Sequence, residues 1–161
     1  MATSDDSGTR PALLEVATSL RELHRALVEV SRGRYEREKG KPAGGPSDML
    51  RLLTEDPYFA WLHPLSELIV DVDALLTQKA LPGGTAAAVR MEIEHLTQAE
   101  SKSGFWTKYA PYIQEEPKVA VAHGKLRQSL KAVPPTAAVG AQVLHERSRW
   151  VPPRKKRRQG F

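Results

Sequence analysis

TRPALLEVATSLRELHRALVEV, residues 9–30, decides the fold. Leu13, Val16, Leu20, Leu23, Leu27 and Val30 recur at alternating steps of three and four. That spacing puts all six on one stripe of a long α-helix, packed against its neighbours at a shallow angle. Thr9 is expected to cap the helix. Pro11 is tolerated in the early turn, where an N–H would have no helical acceptor. The helix is expected to fray through the mixed-charge run Arg32 to Lys39. It must end by residues 40–46, where three glycines and two prolines forbid regular structure.

The same punctuation repeats along the chain. Ser47 is expected to cap a short helix carrying Met49, Leu50, Leu52 and Leu53, and Asp56-Pro57 to cap and begin the next. Trp61, Leu65, Leu68, Val72 and Leu75 form a second stripe, at steps of four, three, four and three. Pro64 lies inside it and should break or kink the helix near His63, because it lacks an N–H and crowds the preceding turn. After Pro82-Gly83-Gly84, Thr85 is expected to cap a helix with Ala86, Val89, Ile93 and Leu96 inward. Phe105, Tyr109, Tyr112 and Ile113 mark an aromatic helical patch ending before Pro117. Val119, His123, Leu126, Leu130 and Val133 mark another helix, stopped by Pro134-Pro135, and a weaker last one would be capped by Thr136 with Val139, Val143 and Leu144 inward. No stretch alternates apolar and polar residues as a half-buried strand does. The expected fold is therefore all-α: one bundle of five or six helices over residues 9–146, between a disordered leader (1–8) and a flexible basic tail (147–161).

Composition narrows the function classes. At 161 residues, 40% hydrophobic and 27% charged, the chain lies within the globular range. Without cysteine it has no thiolate nucleophile, redox switch or Cys-based zinc site. The polar start lacks the basic and apolar regions of a secretory signal, and apolar runs such as Leu68-Ile69-Val70 are cut short by Asp71 and Asp73. The protein is expected to be soluble and cytoplasmic. Its net charge of +5 is unevenly distributed: residues 147–161 hold seven basic residues and no acidic one, leaving 17 basic against 19 acidic residues in 1–146, a net of −2. The basic character therefore belongs to the tail.

Two segments, DPYFAWLHPLSELIVDVD (56–73) and EPKVAVAHGKLRQSL (116–130), together resemble a family of small bacterial helical proteins with no assigned activity. The two segments make up about a fifth of the chain. It implies a bacterial, all-helical, intracellular protein and carries over no functional residue. The basic tail lies outside the matching segments.

No complete catalytic, cofactor or metal signature is present, so no catalytic, cofactor-binding or metal-ligating residue is assigned and the reading leans away from an enzyme. Glu92 and His95 lie three apart, as in di-iron bundles, but those sites need a second such pair, and none of the other histidines has an acid three residues before it. Ile93 and Leu96 claim the inward stripe and should turn Glu92 and His95 partly outward. His123 falls in the stripe of its helix, where it needs a hydrogen-bond partner, and Gly124 suggests a close helix approach. Asp71 and Asp73 point about 200° apart on a helix and are expected to be surface charges. A cleft lined by Trp61, His63, Tyr109, Tyr112 and His123 is the candidate ligand site.

The strongest feature is the tail. Arg147 and Arg149, Trp150, and the unbroken run Arg154, Lys155, Lys156, Arg157 and Arg158 form a candidate polyanion-binding segment, in which basic side chains displace counterions from phosphates and the aromatic ring can stack. Three functions follow: a non-catalytic protein that binds a protein partner through its helices and nucleic acid or another polyanion through its tail; a ligand-binding or enzymatic bundle; or a homo-oligomeric scaffold.

Overall fold

A computed structural model describes residues 6–81, 84–98 and 104–134, together with Arg147 and Trp150. The described residues form an all-α bundle of six α-helices and contain no strand. The order is α1 (Asp6–Lys39), α2 (Pro46–Glu55), a 3₁₀ helix (Pro57–Leu62), α3 (His63–Leu76), α4 (Thr85–Thr97), α5 (Gly104–Glu115) and α6 (Pro117–Leu130). The expected weak helix after Thr136 lies outside the described residues, as do residues 1–5 of the leader and Arg149 and Arg154 to Arg158 of the tail.

The spine is α1, 34 residues long and so about 51 Å at 1.5 Å per residue. Its side chains give the direction of its neighbours. Arg10 donates to the carbonyls of Leu76 and Gln78, Arg21 pairs with Asp73, and His24 meets Ser66, so α3 runs antiparallel to α1. Glu22 pairs with Lys125, Glu29 with Lys118, and Arg34 with Glu115 and Glu116, so α6 runs antiparallel as well. Between these helices Leu13, Val16, Leu20, Leu23 and Leu27 are fully buried with Leu65, Leu68, Val72 and Leu75. Both stripes read from the sequence face the core. Val30, at the end of the first, is only partly covered.

Several expected boundaries shift. α1 begins at Asp6 rather than after a Thr9 cap, because a long helix held by packing extends one turn at little cost. It also continues unbroken to Lys39: Tyr35 is buried against the rings of Tyr58 and Phe59, and the Arg34 guanidinium sits 4.1 Å over the Tyr112 ring. Gly40 then ends it in the left-handed region at φ 68°, where a Cβ would be strained. Gly45 and Pro46 start α2 instead of Ser47, since the Asp48 carboxylate accepts the Gly45 N–H at 3.1 Å and Pro46 fits the first turn. Gly84 takes the N-cap of α4 and leaves Thr85 buried.

Asp56 caps the 3₁₀ helix as expected, accepting the Tyr58 N–H at 2.9 Å. Pro64 acts as a boundary: the 3₁₀ helix stops at Leu62, and α3 starts afresh with Pro64 in its first turn. Trp61 therefore leaves the α3 stripe and is half-buried against α5. Gly124 is exposed, and among the described residues nothing comes within 4 Å of where its Cβ would be, so the described helices make no close approach there.

Candidate functional site

The first candidate is the aromatic cleft. Phe105, Tyr109 and Tyr112 fall within two turns on one face of α5, and the short 3₁₀ helix swings Trp61 onto them. Trp61 lies 5.2 Å from the Tyr112 ring and 5.5 Å from Phe105, and Phe105 lies 5.3 Å from Tyr109. The Tyr109 hydroxyl reaches His123 Nδ1 on α6 at 2.6 Å. Four of the five expected residues thus come together, but they pack ring on ring. Offsets of this kind fill space and add modestly to stability.

His63 is not among them. It caps another element: its Nε2 donates to the Leu53 carbonyl at 2.8 Å, one of the last four of α2, which lack a helical partner. The break at Pro64 turns the imidazole toward α2 and away from Trp61.

The Tyr109–His123 pair is electrically neutral. Burial pushes the Tyr109 phenol well above its ordinary range, so it keeps its proton and can donate it to His123 Nδ1. Burial, with the positive charge of Arg127, holds the His123 pKa below the usual histidine value. His24, which no sequence signal marked, behaves alike. Ser66 donates its one proton to the Leu62 carbonyl at 3.3 Å and so accepts from His24 Nε2 at 2.9 Å, and burial lowers the His24 pKa.

The second candidate is the tail, whose first residues take a role the sequence did not suggest. Arg147 spans two helices, with Nε 2.8 Å from Asp71 of α3 and Nη1 3.0 Å from Glu92 of α4. Trp150 is 1% exposed, within the core cluster. Its carbonyl accepts from Gln78 Nε2 at 2.8 Å, while its indole N–H has no acceptor among the described residues, so apolar burial holds the ring. Arg147 and Trp150 therefore anchor this part of the chain to the bundle. An arginine already paired with two carboxylates has little affinity left for phosphate, and a buried ring cannot stack on a base.

This geometry corrects two further expectations. Glu92 is buried and turned toward Arg147, whereas His95 is exposed, so the pair does not form one metal-binding face. Among the described residues no group of three His, Asp or Glu side chains could hold a metal ion. Asp71 and Asp73 do point apart: Asp73 is a surface charge as expected, in an exposed ion pair with Arg21 at 2.5 Å, whereas Asp71 is mostly covered and held by Arg147. The local signal for the Arg147 site is faint: Asp71 and Glu92 each stand beside a residue of a buried stripe, Val72 and Ile93.

The aromatic cluster is thus closed on itself, while the anchor ties a distant segment to the bundle. Comparisons with protein-family models, curated proteins and solved structures find no match for this chain. Among the described residues no helix is long and apolar enough to cross a membrane.

Proposed function

We propose that this is a non-catalytic, cytoplasmic protein of bacterial origin that uses its helical bundle to present the basic run Arg154-Lys155-Lys156-Arg157-Arg158 to the phosphate backbone of nucleic acid, with a protein partner engaged by the helical surface. The observation that carries the reading is the anchor. Trp150 is in the core and Arg147 is bound to two helices. Arg154 follows Trp150 by four residues, a span of at most about 14 Å of extended chain. Residues 1–153, which include the anchor, hold 19 basic and 19 acidic residues and so have little net attraction of their own for a polyanion.

Phosphate contact is the chemistry that a run of flexible arginines and lysines supports, and it carries little sequence preference, because such side chains meet phosphates rather than base edges. Replacing all five residues of the run by glutamine tests the assignment. Fluorescence anisotropy with a labelled duplex at low salt is expected to show binding by the intact protein and none by the variant. Equal binding by both would overturn it.

A further inference from the structure

One face of the bundle is self-complementary. Glu22 and Glu29 stand seven residues apart on α1, and their partners Lys125 and Lys118 stand seven apart on α6 in the opposite direction. The face therefore carries an acidic rail on one helix and a basic rail on the other, matched level by level. Between the two levels lies an open groove of about 440 Å³ beside Ala26 and Ala122. Val121, at its edge, is 62% exposed, an apolar knob next to two small side chains.

The geometry points to a second copy of this chain as the occupant of that groove. A face-to-face homodimer has its two-fold axis in the plane of the contact. If the axis runs along the groove, each level of the face keeps its height. α1 of one copy then lies over α6 of the other, with Glu22 over Lys125, Glu29 over Lys118 and Val121 over Ala26. If the axis runs across the groove, α1 lies over α1 and α6 over α6, which sets acid against acid and lysine against lysine. Like charges brought face to face oppose association, so charge selects the first arrangement. The result is a four-helix layer in which each ion pair becomes a square of four alternating charges, and the seven-residue repeat matches the near-parallel packing of such layers. The dimer does not depend on the basic run, and its test needs no nucleic acid.

Sedimentation velocity on the full chain, from about 1 µM to 1 mM to cover weak and moderate affinities, should show the mass rising from 17.8 kDa toward twice that value. Val121→Glu, at an exposed position, should remain monomeric throughout with an unchanged helical spectrum. Two reversed variants give a test that does not rely on it. Glu22→Lys with Glu29→Lys makes both rails positive, and Lys118→Glu with Lys125→Glu makes both negative. Each should be monomeric alone, and the two mixed should form a dimer that added salt weakens. A wild-type chain that stays monomeric at the highest concentration, a Val121→Glu variant that still dimerises, or reversed variants that do not pair on mixing would each overturn the proposal.

Discussion

The cluster around Tyr109 and the anchor at Arg147 and Trp150 are both made of buried rings with polar partners, yet they do different work. The cluster is built by helices that would pack against one another anyway, since Trp61, Phe105, Tyr109 and Tyr112 all lie on or beside the apolar faces of their own elements. The anchor binds a segment beyond α6 to α3 and α4, which lie 76 and 55 residues away in sequence. Packing between neighbouring helices supports the first, and the Trp150 ring in the core with the Arg147 ion pairs supports the second. An aromatic or basic residue near a chain end is therefore not by itself a ligand contact: two of the residues that read as polyanion-binding hold the bundle together.

The largest effect that would break this comparison is at Trp150. Trp150→Ala should cost about 3 to 5 kcal/mol, measured by chemical denaturation. That is comparable to Leu20→Ala or Leu68→Ala in the central stripes, at about 2 to 5 kcal/mol. An exposed ring in a free tail would give almost no change, so a near-neutral Trp150→Ala would return that residue to the tail.

Arg147→Ala should come next. It leaves the mostly buried Glu92 carboxylate without its charged donor, at a cost of about 1.5 to 3 kcal/mol. Removing the buried negative charge as well, in Arg147→Ala with Glu92→Gln, should recover part of that loss. Equal stability of wild type and Arg147→Ala would show that the two-helix ion pair contributes nothing.

A smaller effect belongs to the histidines. Burial lowers the pKa of both His24 and His123 in the folded protein. The unfolded chain therefore binds more protons once the pH falls below the ordinary histidine value of about 6.5. Stability should be full above that pH and decline as the pH falls through the two lowered folded values. Melting curves at a series of pH values check this, and His123→Gln should flatten the decline. A melting temperature that rises on acidification from pH 7 would contradict the neutral Tyr109–His123 pair.

Much of the fold could be read from residue spacing, because a buried helix face repeats every three to four residues whatever it packs against. The stripes through Leu20 and Leu68 are of this kind. Boundaries were less legible, since Gly45, Gly84 and Gly40 act through backbone conformation and neighbouring acceptors, which composition alone does not rank. The candidate sites were the least legible. Tyr109 and His123 could be named because each lies on a periodic stripe, although their direct contact could not. His63 was misplaced because its partner is a backbone carbonyl. Arg147 looked like part of a basic tail because Asp71 and Glu92 are brought to it only by the tertiary fold.

Two truncations test the account most directly, one ending at Pro153 and one at Glu146, each compared with the intact chain for duplex binding across a salt series and for melting temperature. The intact protein should bind with a log–log salt slope of about −4 to −5, from roughly 0.9 for each phosphate met by the five-residue run. Ending at Pro153 should abolish that binding and leave the melting temperature unchanged, because the anchor is kept. Ending at Glu146 should abolish binding and also lower the melting temperature. Binding that survives removal of residues 154–161, or a melting temperature indifferent to the loss of Arg147 and Trp150, would contradict the division between anchor and contact.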